Sequence, residues 1–267
     1  MIYNLLWMSD LHLDQATAKN CRKLLRDLKN TEYDAAVITG DTAASDTLVQ
    51  HLKTLADACA PRPLFVLLGN HDFYGSSLYT TQSQVRRLCH KTANLYHLQD
   101  HGAVWLNRQT VLLGHHGWAD ARCGWGSKTR VQSPDHWCID DFRKLDQAGR
   151  FNLMAELGSA STSWIRQNLN PVLRKAESVI VATHVPAFLT SAHYNGTPCG
   201  PCHSPHYVHA SLGGLLIGAA RHNLEKRFTV LSGHTHSEVQ EKILANLESR
   251  VAGAKRGTPR IQGILPV

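Results

Sequence analysis

The chain has 267 residues, enough to bury a core between layers of secondary structure, and we expect one domain over residues 1–267. Its 28 Lys and Arg against 21 Asp and Glu give a formal charge of +7, which favours anionic partners without selecting one. No apolar run is long enough to cross a bilayer, no basic leader precedes the first apolar segment, and the seven cysteines lack the spacing of a disulfide framework, so a reduced, cytoplasmic setting is expected.

In chain order, Leu5-Leu6-Trp7-Met8, Ala35-Ala36-Val37-Ile38 and Leu64-Phe65-Val66-Leu67-Leu68 read as strands buried on both faces. Between them, Leu24, Leu25 and Leu28, then Leu48, Leu52 and Leu55, repeat at helical spacing, so the chain begins β-α-β-α-β and builds a parallel sheet. Residues 103–106 and 110–113 predict a hairpin, and 139–168 a helical stretch broken near Gly149. Val179-Ile180-Val181-Ala182 is the next strand; residues 187–214, rich in Gly, Pro, Ser, Cys and His, read as a long lid loop. Phe228-Thr229-Val230-Leu231 is a strand, and residues 239–244, 247–251 and 261–265 supply three more. The six tryptophans, scattered singly, are assigned to the core.

Each of five apolar runs is followed by a short polar cluster: Asp10-Leu-His12, Gly40-Asp41, Gly69-Asn70-His71-Asp72, Thr183-His184 and Gly233-His234-Thr235-His236. Asp and His are ligands for Zn, Mn or Fe, and Asn adds a neutral carbonyl oxygen. Taken alone, Asp41 or Asn70 is better explained by an Asx turn, and His184 by a hydrogen-bonded loop histidine. Five such clusters in series point to two-metal phosphoester chemistry.

With D-x-H, G-D, G-N-H-D, H and G-H-x-H in this order from Asp10 to His236, the chain resembles the calcineurin-like metallophosphoesterases. The resemblance implies an α/β, four-layer α/β/β/α sandwich with a dinuclear metal site at the sheet edge, in place of the open sheet that the first ninety residues suggest. It implies that Asp10, His12, Asp41 and His236 hold one metal, that Asp41, Asn70, His184 and His234 hold the other, and that Asp41 bridges them. A metal-bridging hydroxide is then the nucleophile, with His71 contacting phosphate and protonating the leaving group, and Asp72 orienting the His71 imidazole and raising its pKa. The ions are two divalent or trivalent metals, Mn, Fe or Zn.

The expected partner is a small anionic phosphoester or nucleotide; the clusters do not separate phosphatase from phosphodiesterase. Alternatives are a nuclease or nucleic-acid-processing subunit, mildly supported by the basic balance, and a non-catalytic metal-stabilised scaffold. The positive residues are spread, with only Arg86-Arg87 and Lys255-Arg256 adjacent, so nucleic acid is less favoured. Loss of His71 or of a bridging carboxylate would mark a scaffold, and both are retained. His115 and His116 are candidates either to meet substrate or to pack in their loop; Phe73-Tyr74-Gly75 either floors the pocket or joins the core. Cys199-Gly-Pro-Cys202 with His203, His206 and His209 fits a small zinc site, a redox pair or, preferred, a stiffened loop with free thiols.

Overall fold

Strands that are apolar on both faces need a layer on each side, and the computed structural model, which describes residues 1–267, supplies it by stacking two mixed sheets. The first half of the chain forms β1 (Asn4–Met8), β2 (Ala35–Thr39), β3 (Leu64–Leu67) and β4 (Leu95–His97), all parallel. There follow β5 (Val104–Trp105), β6 (Thr110–Gly114), β7 (Ser178–Ala182), the small hairpin β8 (His193–Tyr194) and β9 (Thr197–Pro198), then β10 (Arg227–Ser232), β11 (Val239–Leu244), β12 (Leu247–Val251) and β13 (Gly263–Pro266). The first sheet runs β13-β1-β2-β3-β4, because β13 returns antiparallel to β1 with Leu265 opposite Leu5. The second runs β11-β12-β10-β7-β6-β5, parallel through its centre and antiparallel at both edges.

Alternate side chains of each strand divide the interior into three cores. Leu5, Trp7, Val37 and Phe65 meet Leu112, Ile180 and Leu231 between the sheets. Their neighbours Leu6, Met8 and Ile38 face outward against α1 (Ala18–Asn30), α2 (Ser45–Cys59) and α3 (Leu78–His90). Val111, Val179 and Val230 face the opposite way, beneath Ile165, Leu169, Leu212 and Leu216. The result is the α/β/β/α sandwich expected from the resemblance. Sequence periodicity does not reveal β4, since Leu95-Tyr96-His97 is too short to show a period.

The stretch 139–168, expected to be helical with a break near Gly149, forms α5 (Asp140–Arg143) and most of α6 (Gln147–Val172), preceded by the short α4 (Asp135–Cys138). The break falls at Asp146, whose carboxylate accepts the Gly149 amide at 2.8 Å, so Gly149 opens α6 instead of interrupting it. The lid segment is also more ordered than a loop. It contains β8, β9 and α7 (Ser204–Tyr207), and from Ala210 it has become α8 (Ala210–Arg221), whose Leu212 and Leu216 are buried. Of the tryptophans, Trp7 and Trp118 are buried as expected, whereas Trp105, Trp125 and Trp137 are exposed, so the core assignment fails for those three.

Candidate metal centre

Asp10 and His12 follow β1, Asp41 follows β2, Asn70 and His71 follow β3, His184 follows β7, and His234 and His236 follow β10. Loops at the carboxyl ends of parallel strands from both sheets therefore meet at one edge of the sandwich. Their backbone is unusual: Asp10, His12, Asp41, His234 and His236 all have φ between 41° and 70°, the left-handed region that side chains other than glycine seldom adopt. Glycine is needed beside them for close approach. A Cβ at Gly69 would fall on the Asp41 carboxylate and the His184 imidazole, and one at Gly233 on the Asp10 carboxylate and the Ser9 hydroxyl.

The side chains converge in two groups. One donor atom from each of Asp10, His12, Asp41 and His236 lies within 4.8 Å of the others, a group able to hold a metal ion. In it, His12 Nε2 is 3.0 Å from His236 Nε2 and 3.7 Å from Asp41 Oδ2, and His236 Nε2 is 3.3 Å from Asp10 Oδ1. In the second, His184 Nε2 is 3.1 Å from Asn70 Oδ1 and 3.3 Å from Asp41 Oδ1, and His234 Nδ1 is 3.0 Å from the same Asn70 oxygen. Asp41 thus turns one oxygen to each group.

Hydrogen bonds on the far side of each ring fix which nitrogen carries the proton. His184 Nδ1 faces the Thr39 carbonyl at 2.9 Å and His234 Nε2 the His206 carbonyl at 2.9 Å, so both must donate there. Their remaining nitrogens then present lone pairs to Asn70 Oδ1, which cannot donate either. The Asn70 amide is locked in that sense, because its Nδ2 donates to Asp135 at 2.8 Å and to the Tyr74 hydroxyl at 3.2 Å. Three lone-pair donors facing one another are repulsive without a cation and are the arrangement a metal ion requires.

Electrostatics agree. Burial holds His12 down to about 3 and His184 down to about 4, so both are neutral and free to ligate. Burial, with the charges of Asp10 and Asp72 nearby, holds the Asp41 carboxyl well above the usual range, a crowding that a cation relieves. The donor set fits a metal, and the seven residues expected as ligands are all brought together.

Asp72 is placed differently from expectation. Its oxygens accept the amides of Asp41, Thr42, Ala43 and Gly69 at 2.7–3.0 Å, so it clamps two ligand loops, and the His71 ring makes no hydrogen bond to it. His71 instead stacks on Tyr74 at 4.2 Å and meets Arg256, whose Nη2 lies 3.2 Å from His71 Nε2. Burial, with the neighbouring positive groups, lowers His71 to about 2 where a raised pKa was expected. Tyr74 lines the cavity, and Phe73 is in the core.

His115 and His116 pack. His116 Nδ1 accepts the Leu68 amide at 2.8 Å while its Nε2 meets His97 at 3.1 Å, and His115 lies against Trp164. In the lid segment Cys199 and Cys202 are free thiols, as in the preferred reading, and His206 and His209 engage the carbonyls of Val131 and Gly158. Arg256, Asp135, Tyr194 and Tyr207 escaped sequence reasoning; the Lys255-Arg256 doublet was the only signal, and it reads equally as solvated surface.

A cavity of about 510 Å³ opens over the two groups, lined by Asp41, Asn70, His71, Arg256, residues 131–134, and Tyr194, Asn195, His203, His206 and Tyr207. No helix of the chain is long and apolar enough to cross a membrane.

Comparison with known proteins bears on this geometry. The sequence profile described as calcineurin-like phosphoesterase matches residues 3–238. No curated protein sequence matches the chain. Among solved structures, the fold is similar to a phosphopantetheinyl hydrolase from Mycobacterium tuberculosis, with 12% identity, a TM-score of 0.66 and coverage of 97% of this chain and 95% of that one. It is also similar to a dimetal phosphatase from Danio rerio, with 14% identity, a TM-score of 0.61 and coverage of 99% and 92%. A third, TT1561 of Thermus thermophilus, has 12% identity, a TM-score of 0.56 and coverage of 95% and 90%. At such identities the likeness is one of fold.

Proposed function

Because the chain belongs to the calcineurin-like phosphoesterase family, we propose that it hydrolyses small phosphate esters, with Asp10, His12, Asp41 and His236 holding one metal ion and Asp41, Asn70, His184 and His234 a second. The observation that carries this reading is Asp41, buried between the two groups with one oxygen toward each. When bound, two such ions supply Lewis acidity toward the phosphoryl group and lower the pKa of water. Mixed nitrogen and oxygen donors suit Mn, Fe or Zn.

The chain's own residues bind and orient the ester. Arg256 has no lone pair to accept with, so His71 Nε2 accepts from it and the His71 proton sits on Nδ1. A phosphate oxygen entering between them meets a guanidinium and a neutral imidazole, and its negative charge raises the affinity of His71 for a second proton. His71 thereby becomes able to give that proton to the leaving oxygen, with Arg256 holding the phosphate. The cavity has the volume of a small-molecule site, which supports a small substrate over a nucleic-acid duplex.

The test is hydrolysis of mono-, di- and pyrophosphate esters by protein loaded separately with Mn, Zn and Fe. Chelator-sensitive turnover of at least one class is expected, and none across the panel would sink the reading. Arg256→Ala should weaken substrate binding, seen as a raised KM, without changing metal content.

A further inference from the structure

Beside the metal centre the cavity has an aromatic wall that phosphoester cleavage itself does not need. The Tyr207 ring lies 5.2 Å from the ring of His234, and the Tyr194 ring lies 5.5 Å beyond Tyr207. Tyr194 is backed by His203, whose ring is 5.5 Å away and nearly parallel, at 14°. Packing against His203 and Tyr207 accounts for part of the Tyr194 surface; the side chain still lines the cavity and is 42% exposed. An aromatic ring stacked against a neighbouring ring and left partly open toward a cavity can take a further planar group on its face.

The wall is also fixed in register with the metal centre. Tyr194 ends β8 opposite Thr197 on β9, and Asn195 and Gly196 turn the hairpin with φ of 51° and 77°. The Gly196 amide donates to the Ser237 hydroxyl at 3.1 Å, one residue past His236. The hairpin is thus tied to the site at Ser237 and, through Tyr207, at His234. Gln132, Ser133 and Asn195 line the same cavity and offer amide and hydroxyl groups to the polar edge of a flat heterocycle.

We propose that Tyr194, backed by His203 and continued by Tyr207, is a nucleobase platform, and that the substrates are nucleotides with the phosphate at the metal centre, the sugar over Tyr207 and the base on Tyr194. This rests on the phosphoesterase reading above and narrows it to esters that carry a planar base. A saturated or purely sugar-like ester has no planar base to lay on Tyr194.

The phosphonate analogues of AMP and ribose 5-phosphate, in which a methylene replaces the ester oxygen, cannot be cleaved at that bond and differ chiefly in the base, so calorimetric titration of each into metal-loaded protein isolates the platform without turnover. The AMP analogue should bind more tightly by about 5- to 100-fold, the range that one aromatic–base stack commonly gives. Tyr194→Leu keeps an apolar side chain in the hairpin but removes the ring, and should bring the affinity ratio to about one; Tyr194→Trp should retain it. Equal affinities in the unaltered protein, or a ratio that survives Tyr194→Leu, would overturn the platform and leave the metal-centre reading intact. Adenosine titrated into metal-free protein separates the two readings from the other side. Its binding, lost in Tyr194→Leu, would support the platform even if no phosphate ester were bound or hydrolysed.

Discussion

The two halves of the proposed metal centre are held by different means. On the Asp10, His12 and His236 side all three residues sit at positive φ, as does His234 on the other side; Asp10 is held by the Ser9 hydroxyl and the His234 amide, whereas the His12 Nδ1 atom, buried, has no hydrogen-bond partner. On the Asn70, His184 and His234 side, each side chain is aimed by a hydrogen bond from its far end, to Asp135, to the Thr39 carbonyl and to the His206 carbonyl. The first half depends chiefly on the loop conformation that follows its strand, with one distant amide, that of His234, on Asp10. The second depends on partners contributed by other parts of the chain, and so is open to remote substitution. Asp41 belongs to both halves.

Asp41→Asn is the largest perturbation, since it removes the charge common to the two groups. Both metals should be lost together, with activity down by at least about 10³-fold, because several kcal/mol of transition-state stabilisation reside in the ions. Full metal content by elemental analysis, with full activity, would end the dinuclear assignment.

His71 stands outside both halves, and its substitution should leave them both filled. His71→Ala should lower kcat by about 10²- to 10⁴-fold for alkyl esters, with part of the loss recovered on nitrophenyl esters, whose leaving group needs no proton. An equal loss for both kinds of ester would show that His71 acts with Arg256 only in holding phosphate.

Asp135→Ala tests the contrast directly. With its amide released, Asn70 is free to turn its oxygen away, and metal affinity of the second group should fall about 10- to 100-fold while the first is retained. Metal titration should then resolve a tight and a weak step. Two steps weakened alike would mean that the halves are not independently supported.

The smallest expected effect is on stability against pH in the metal-free protein. His12 and His184 are held down to about 3 and 4 in the fold, against an ordinary 6.5 in the unfolded chain. Below 6.5 the unfolded chain therefore takes up protons that the fold does not, so stability is intact above that pH, falls as pH drops, and levels off near 3. Melting curves of chelator-treated protein should shift down by several degrees between pH 7 and 5. A Tm that rises over the same interval would contradict the buried, neutral state of these rings.

How far the site can be read from sequence follows the same division. Asp10, His12, Asp41, Asn70, His184, His234 and His236 each stand close after a strand, so an apolar run followed by a short polar cluster marks them without reference to anything distant. The Gly149 break is misplaced in one dimension because glycine is a poor helix residue in the interior yet acceptable in a first turn capped by Asp146, and the two cases look alike there. Adjacency in sequence pairs Asp72 with His71, whereas four amides from two separate loops compete for its oxygens and win. The exposed Trp125 and Trp137 carry no local sign of their exposure, since burial is a property of what packs against a ring.

What the sequence determined by itself was the order of the main strands, the candidate ligand residues and the chemistry to which they are suited, because strand periodicity and ligand type are local properties. Only the tertiary structure decided the proton positions on His184 and His234, the orientation of the Asn70 amide, the approach of Arg256 to His71, and the placing of Tyr194 and Tyr207 along the cavity. Those depend on contacts between residues far apart in the chain, such as the pair His71 and Arg256. No local pattern records such contacts, because they form only when the two sheets stack and bring the ends of their strands to one edge.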